Sequence, residues 1–203
     1  RLTDEEVARF IARRFRFPGV DIKARLFRHY PNGDLASHAL GYIGRVNDRD
    51  LASIEKQGAE DNYRGTEHFG KTGLEQKYEF ELHGQTGFEQ VEVDAGGRAV
   101  RVLERTPPVS GNNLVLTLDT KLQQVVEKAF GNRRGALVAI EPSTGGILAL
   151  VSMPGYDPNL FVDGINFQDW EALNTSEDKP MVNRALNGAY PPGSTFKPFM
   201  ALA

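Results

Sequence analysis

Near the end of the sequence, a serine and a lysine stand three positions apart, in the stretch Tyr-Pro-Pro-Gly-Ser-Thr-Phe-Lys-Pro at residues 190–198. Residues at this spacing share one face of a helix, so Ser194 and Lys197 are placed to act as a nucleophile and its base. Such a pair can carry out acyl transfer without any histidine if the lysine is neutral.

Two other Ser-x-x-Lys pairs occur in the sequence, and neither has a suitable setting. Ser53 and Lys56 lie in an amphipathic stretch with Glu55 beside the lysine. A solvated lysine keeps a pKa near about 10.4 and cannot act as a base. Lys179, which follows Ser176, precedes a proline, and this biases the lysine away from helical dihedral angles. We interpret both pairs as surface features.

The sequence around Ser194 predicts a helix start and a buried lysine. Proline is tolerated only near the start of a helix, so Pro198 places that start close to Ser194, where the field favours a developing oxyanion. Burial favours neutral Lys197. The alternative is a serine N-cap with a lysine that extends to solvent. The residues that predict burial are all apolar: Phe196, Phe199, Met200, Ala201, Leu202 and Ala203.

The elements that lead to Ser194 are predicted from apolar runs and capping signals. Residues 114–118 are predicted to form a strand, and Asp119 caps a helix that runs through Phe130 and ends at Gly131. Two apolar runs, 135–141 and 146–152, predict a hairpin covered by helices. Residues 167–174 are predicted to form a short helix.

The first half of the chain combines short helices with a long hairpin. Thr3 and Glu6 form a capping-box pattern at the start of a predicted helix. Residues 58–70 are predicted to be irregular. The other predicted elements are a helix over 3–15, a strand over 20–30, helices over 34–40 and 48–57 with Asn47 or Asp48 as cap, a helix over 74–82, and a hairpin over 87–105.

A proline-rich linker divides the sequence. Residues 106–111 read Thr-Pro-Pro-Val-Ser-Gly, and we place a domain boundary near residue 112, which gives segments 1–112 and 113–203. At 203 residues the chain can hold two modest domains. We call residues 1–112 the pedestal segment and residues 113–203 the C-terminal segment.

Composition excludes several classes of function. The net charge of −3 gives no footprint for nucleic acid, and the absence of cysteine excludes disulfides and thiolate chemistry. We find no apolar run long enough to span a bilayer and no signal peptide. The sequence begins with arginine and stops within an apolar helical pattern, so we expect it to be a piece of a longer protein.

Four segments in order give the chain a resemblance to the class B penicillin-binding proteins of the elongation type. They are Gly-Lys-Thr-Gly-Leu-Glu at 70–75, His-Gly-Gln-Thr-Gly-Phe-Glu-Gln-Val-Glu-Val at 83–93, residues 114–124 and residues 183–198. The resemblance implies an α+β fold: an elongated, non-catalytic pedestal of the dimerisation type, followed by the start of a transpeptidase domain similar to serine β-lactamases.

The resemblance also implies a D,D-transpeptidase that cross-links peptidoglycan stem peptides through a serine acyl-enzyme. Ser194 would be the nucleophile and the acylation site for β-lactams, and Lys197 would take its proton. A single-pass anchor upstream of this chain would hold the protein in the inner membrane, facing the periplasm. A RodA-type glycan polymerase and periplasmic shape-determining proteins would be its partners, and no cofactor or metal is implied.

The Lys-Thr-Gly triplet at 71–73 is not expected to be catalytic, because the catalytic Lys-Thr-Gly of this family follows the nucleophile. We expect its glycine to serve a tight turn, with Glu75 in the first turn of the next helix. No Ser-x-Asn and no Lys-Thr-Gly follow Ser194. We therefore expect this chain to be inactive by itself.

Two further hypotheses remain. In the first, the chain is mainly a scaffold whose pedestal segment docks a glycan polymerase or a shape-determining partner. In the second, it belongs to a soluble β-lactamase or a β-lactam sensor, although neither is expected to carry such a pedestal. Four scattered histidines show no pairing typical of a metal site, and we interpret each as a surface or partly buried side chain: His29, His38, His68 and His83.

Overall fold

The computed structural model describes residues 2–20, 22, 27–96 and 99–202, and these combine helices with strands. Within these ranges the strands form two-stranded antiparallel sheets. The mixed α+β fold is therefore as predicted. No helix in the described part of the chain is long and apolar enough to cross a bilayer.

The first helix, α1, covers Asp4–Ala12 and begins at the predicted capping box. The Thr3 side chain accepts from the Glu6 N–H, and the Glu6 carboxylate accepts from the Thr3 N–H at 2.8 Å. The helix ends earlier than predicted and is followed by a 3-10 turn, Arg14–Arg16. The predicted strand over 20–30 falls partly on residues 21 and 23–26, outside the described residues, and 27–30 are not in a strand.

The rest of the pedestal segment packs around a small aromatic core. This core consists of three buried side chains, Ile54, Tyr63 and Phe69, and Phe80 packs against them. Residues 68–70 were predicted to be irregular, which is wrong, because they pair antiparallel with 43–45. The elements here are α2 (Ser37–Leu40), β1 (Ile43–Arg45), α3 (Asp48–Gln57, capped by Asn47) and β2 (His68–Gly70).

The predicted helix over 74–82 is broken into two. Helix α4 covers Gly73–Lys77, helix α5 covers Glu79–His83, and Tyr78 lies between them. The predicted hairpin is confirmed as β3 (Phe88–Val93) paired with β4 (Ala99–Thr106). All six residues of β3 are exposed.

The helix and hairpin predicted for the C-terminal segment are confirmed. Asp119 accepts from the N–H groups of Lys121 and Leu122, and the helix ends at Gly131. Ala149 and Val151 are fully buried in the second strand of the hairpin. The elements are α6 (Thr120–Phe130), β5 (Gly135–Ile140) and β6 (Ile147–Met153).

The predicted strand over 114–118 is wrong. These residues run beside β6 without forming a ladder. The Thr117 hydroxyl donates to the Ile147 carbonyl at 2.8 Å, and the Asp119 N–H donates to the Leu148 carbonyl at 2.8 Å. A strand needs repeated backbone pairing, which these two bonds do not supply.

Short helices complete the chain up to the predicted nucleophile. The helix predicted over 167–174 is confirmed as α7. A helix also starts near Ser194 as predicted, although its first turn is 3-10. The elements are a 3-10 turn (Pro158–Phe161), α7 (Phe167–Thr175), α8 (Arg184–Asn187), a second 3-10 turn (Gly193–Phe196) and α9 (Lys197–Leu202).

The turn that precedes α2 joins the pedestal segment to the C-terminal segment. The Ala36 N–H donates to the Glu127 carboxylate at 3.0 Å, and the Tyr156 N–H donates to the Ser37 hydroxyl at 3.4 Å. The rings of His38 and Tyr156 meet edge to face, with centroids 5.1 Å apart. Polar and aromatic contacts therefore tie this turn to α6 and to the loop after β6.

Candidate active site

The turn that carries Ser194 is fixed by its backbone. Pro192 has helical dihedral angles, and Gly193 has φ +54°, in the left-handed region that favours glycine. The Lys197 N–H donates to the Ser194 carbonyl. This bond places Ser194 and Lys197 one 3-10 turn apart, where their side chains can approach each other.

Proline is accommodated at the start of the following helix, as predicted. Pro198 is the second residue of α9 and lies within the first turns of the helical segment that starts at Gly193. Its ring supplies no N–H to the Ser194 carbonyl, which accepts from the Lys197 N–H instead. The Thr195 N–H donates to the Pro192 carbonyl at 3.3 Å and closes the turn before it.

The apolar residues around Lys197 are exposed, so the predicted burial of the lysine is wrong for this chain. Phe196 is 51% exposed, Phe199 68% and Leu202 88%. The rings of Phe196 and Phe199 contact each other, with centroids 6.0 Å apart. Burial depends on which other elements pack against a helix, and no described element of this chain covers α9. Lys197 is itself exposed.

The other two Ser-x-x-Lys pairs lie as the sequence indicates. Lys56 is exposed near the end of α3. Lys179 is exposed and has φ +43°, outside the right-handed helical region. The Ser176 hydroxyl accepts from the Asp178 N–H at 3.3 Å. The backbone of Ser194 and Lys197 thus differs from that of Ser176 and Lys179 in forming a continuous helical start.

A buried anchor holds the segment before the nucleophile, and sequence analysis gave it no role. Ser152, on β6, accepts from the Arg184 N–H at 2.9 Å and donates to the Val182 carbonyl at 3.0 Å. The Arg184 guanidinium donates to the carbonyl groups of Lys179, at 3.2 Å, and Asp178. Arg184 is only 9% exposed, so these carbonyl groups satisfy an otherwise costly buried charge.

Asn183 connects this anchor to the pedestal segment. Its Oδ1 accepts from the Leu186 N–H at 3.2 Å and caps α8, while its Nδ2 donates to the His38 carbonyl at 3.3 Å. An asparagine directly before a short helix is a capping signal that the sequence could have given. The bond to His38 spans 145 positions and has no local signal.

The Lys-Thr-Gly triplet at 71–73 lies in the packed interior of the pedestal segment. The Lys71 ammonium pairs with the Asp50 carboxylate, and both side chains are largely buried. Gly73 has φ +60°, and a Cβ on it would lie 2.6 Å from the Ala39 carbonyl oxygen. Structural contacts therefore account for Lys71 and Gly73, and the predicted tight turn is confirmed.

Glu75 lies in the first turn of α4 as predicted, and it is the centre of a buried network. Arg28 Nε lies 2.8 Å from its Oε1, and Arg28 Nη2 donates to its Oε2 at 2.9 Å. The Tyr30 hydroxyl also donates to Glu75, at 3.1 Å. Burial, followed by the neighbouring Glu75 charge, raises the pKa of Tyr30.

The four histidines occupy different environments. His38 is buried, which lowers its pKa, whereas His29 is exposed. His83 is half-buried and stacks on Tyr63, with centroids 4.0 Å apart, and His68 is half-buried in β2. Among the described residues, no three histidine, aspartate or glutamate side chains are grouped as a metal site would require.

Two family profiles match the chain in succession. Residues 1–116 match the penicillin-binding protein dimerisation domain, and residues 135–203 match the penicillin binding protein transpeptidase domain. The chain therefore belongs to the penicillin-binding proteins. The domain boundary near residue 112 stays a prediction.

Curated relatives include the peptidoglycan D,D-transpeptidases MrdA of Escherichia coli K12 and Acinetobacter baumannii. The first is 48% identical over the whole of this chain and the second 50% identical over 99% of it. The chain covers 32% and 29% of these two proteins. It thus spans about a third of the length of these relatives.

Solved structures of PBP2 proteins share the fold. Pseudomonas aeruginosa PBP2 in complex with WCK 5153 aligns with a TM-score of 0.75 at 46% identity, over 90% of this chain and 36% of that one. Helicobacter pylori PBP2 in complex with MreC aligns with a TM-score of 0.82 at 33% identity, over 99% of this chain and 36% of that one. The predicted resemblance to elongation-type proteins is confirmed at the level of PBP2 relatives.

Proposed function

We propose that the protein carrying this chain is a peptidoglycan D,D-transpeptidase in which Ser194 is the nucleophile and Lys197 its base. The observation that carries the proposal is the turn at residues 190–198. It places the two side chains one helical turn apart, inside the region that matches the transpeptidase family. The names of the MrdA relatives support the same reaction.

The proposed reaction transfers an acyl group in two steps. Ser194 Oγ attacks the carbonyl carbon of the penultimate D-Ala, and its proton passes to the Lys197 amine. The peptide C–N bond then breaks, and the terminal D-Ala leaves with that proton on its amine. An amine from a second stem peptide attacks the ester, forms the cross-link and releases Ser194. A β-lactam would acylate the same oxygen.

The exposure of Lys197 indicates whether residues 1–203 alone can carry out the reaction. A base must be neutral, and burial next to apolar side chains is one way to favour neutral lysine. Phe196, Phe199 and Met200 form an exposed apolar surface beside Lys197. The MrdA relatives are about three times longer than this chain. We therefore expect activity in the full-length protein, where further chain covers this surface, and not in residues 1–203 alone.

Labelling with a fluorescent penicillin tests the assignment in the full-length protein. We expect covalent labelling of wild type, complete loss in Ser194→Ala, and retention in Ser53→Ala and Ser176→Ala, which alter the other two Ser-x-x-Lys pairs. A Lys197→Ala variant should lose labelling, whereas Lys56→Ala should retain it. Labelling that survives Ser194→Ala in the folded protein would refute the proposal.

A scaffold role is the second candidate function, and it is compatible with the first. Helicobacter pylori PBP2 was solved in complex with MreC, which supports a periplasmic shape-determining partner for this protein. We propose that the pedestal segment docks that partner and a RodA-type glycan polymerase. We also propose an inner-membrane anchor upstream of the chain, with both segments facing the periplasm.

Point substitutions test the scaffold role better than deletion of residues 1–112, because Ala36 and Ser37 contact the C-terminal segment. Ile11 and Phe15 are 61% and 80% exposed on the pedestal segment. Their replacement by Asp should weaken binding to a purified MreC homologue. Phe167→Asp is the matched control, since Phe167 is 76% exposed on the C-terminal segment. Equal binding by all variants would argue against docking through α1 and the 3-10 turn that follows it.

A further inference from the structure

A short stretch of chain links the nucleophile to an anchor on β6. Arg184 is anchored on Ser152, and helix α8 follows directly. A Cβ on Gly188 would lie 2.4 Å from the Arg184 carbonyl oxygen and 2.7 Å from the Tyr190 ring. Pro191 and Pro192 then have restricted φ angles. Only the six residues 188–193 separate the end of α8 from Ser194, so the place of α8 limits where Ser194 can lie.

The other end of α8 is tied to the pedestal segment. Asn183 Nδ2 donates to the His38 carbonyl at 3.3 Å, and His38 is the second residue of α2. The turn before α2 is itself fixed, because the Ala36 N–H donates to Glu127 and the Ser37 hydroxyl accepts from the Tyr156 N–H. The His38 carbonyl is thus a fixed reference point for the start of α8.

We propose that Asn183 is a positioning residue that sets the place of Ser194 relative to the pedestal segment through its bond to the His38 carbonyl. The proposal rests on the proposed function, since it assigns a second residue to the acylation step. Asn183 does not contact the substrate. It holds the start of α8, and the short stretch after α8 carries that placement to Ser194.

Two functions of the Asn183 side chain can be separated by substitution. Asn183→Asp keeps an oxygen that accepts from the Leu186 N–H, so the cap of α8 is retained. It also replaces the donor that faces the His38 carbonyl with an oxygen that repels it. Asn183→Ala removes both the cap and the bond. A role limited to capping α8 predicts that only Asn183→Ala lowers the acylation rate constant, whereas a positioning role predicts that both variants lower it.

The test is stopped-flow acylation of the full-length protein by a fluorescent penicillin, which separates the non-covalent dissociation constant from the first-order acylation rate constant. For Asn183→Asp we expect the rate constant to fall about three- to tenfold, the range for loss of one neutral hydrogen bond. The dissociation constant should not change, and the melting temperature should fall less than in Asn183→Ala. Asn183→Ala should lower both the rate constant and the melting temperature.

Asn47→Asp is the matched control, because Asn47 caps α3 in the pedestal segment through the same Oδ1 geometry. It should acylate at the wild-type rate. Acylation of Asn183→Asp at the wild-type rate, or an equal loss in Asn47→Asp, would overturn the inference while leaving the proposed function intact. Failure of wild type to become labelled would overturn the proposed function and this inference together.

Discussion

The side chain of Asn159 binds both backbone polar groups of Tyr30, a residue 129 positions earlier in the chain. Asn159 Oδ1 accepts from the Tyr30 N–H at 2.9 Å, and Asn159 Nδ2 donates to the Tyr30 carbonyl at 2.9 Å. This pairing resembles that of two strands, but it is made by one side chain. It therefore joins the pedestal segment to the 3-10 turn after β6.

Removing this side chain should destabilise the chain. Asn159→Ala leaves two partly buried backbone groups of Tyr30 without partners, and the free energy of unfolding should fall by about 1–3 kcal/mol. Urea denaturation followed by circular dichroism measures the loss. Asn113→Ala, at an exposed asparagine, is the control and should change stability by less than about 0.5 kcal/mol. Similar values for the two variants would contradict the role of Asn159.

Two glycines with nearly the same φ angle separate steric crowding from dihedral strain. Gly58 has φ +62° with open space around a Cβ, whereas a Cβ on Gly73, at φ +60°, would lie 2.6 Å from the Ala39 oxygen. Gly58→Ala should cost about 1–2 kcal/mol, the penalty of a left-handed residue. Gly73→Ala should cost at least about 1–3 kcal/mol more, because the backbone must also move. If urea denaturation gives equal losses of unfolding free energy for the two variants, the backbone near Gly73 moves away from the new Cβ at no cost.

Lys71 and Lys197 should respond to substitution in opposite ways. Lys71→Met leaves the buried Asp50 carboxylate without its cation, which should cost about 3 kcal/mol of stability. Lys71 has no part in the proposed acylation. In the full-length protein, folded Lys71→Met should therefore still react with a fluorescent penicillin. Lys197→Met should keep its stability and lose the reaction. Stability recovered in the double variant Asp50→Asn with Lys71→Met would confirm the pairing, and loss of acylation in folded Lys71→Met would contradict this division.

The buried carboxylate of Glu79 should make stability depend on pH. Burial raises its pKa above the ordinary value of 4.5, although the Gly70 N–H and the Tyr63 hydroxyl donate to it. The folded state then holds the proton more tightly than the unfolded state. Raising the pH from 4.5 through the raised pKa removes that proton and lowers stability.

Glu79→Gln should remove this dependence, since the amide does not ionise. The difference in unfolding free energy between Glu79→Gln and wild type should therefore grow in favour of the variant from about pH 4.5 upward, by about 1.4 kcal/mol for each unit of raised pKa. Urea denaturation at several pH values measures it. If the difference in unfolding free energy between the two proteins stays constant with pH, burial does not raise the pKa of Glu79. Glu127, whose pKa burial also raises, should behave in the same direction.

Features with local signals were predictable from the sequence. The cap at Asp119 and the stop at Gly131 defined α6 at both ends, and the Thr3–Glu6 pair defined the start of α1. The turn around Ser194 was predictable for the same reason, because the proline and glycine dihedral preferences act within a few residues.

Features that depend on distant partners were not predictable. The three-residue strands β1 and β2 pair across about twenty residues of intervening chain and are too short to show alternation. Residues 114–118 are mostly apolar, as in a buried strand, yet they lack the repeated pairing that makes a strand. The prediction that Lys197 is buried was wrong for a similar reason. Apolar side chains near a lysine indicate a surface that favours burial, but burial also requires another element to pack against that surface.

The hairpin of β3 and β4 has a consequence for how the native protein fluctuates. With every residue of β3 exposed, the ribbon is held mainly by strand pairing and exposed ion pairs such as Arg105 with Glu89. Exposed ion pairs contribute little, and a lone two-stranded ribbon is marginally stable. We therefore expect the ribbon to open as a unit of its own, and its amide hydrogens to exchange with solvent long before those of β6 around the buried Ala149 and Val151.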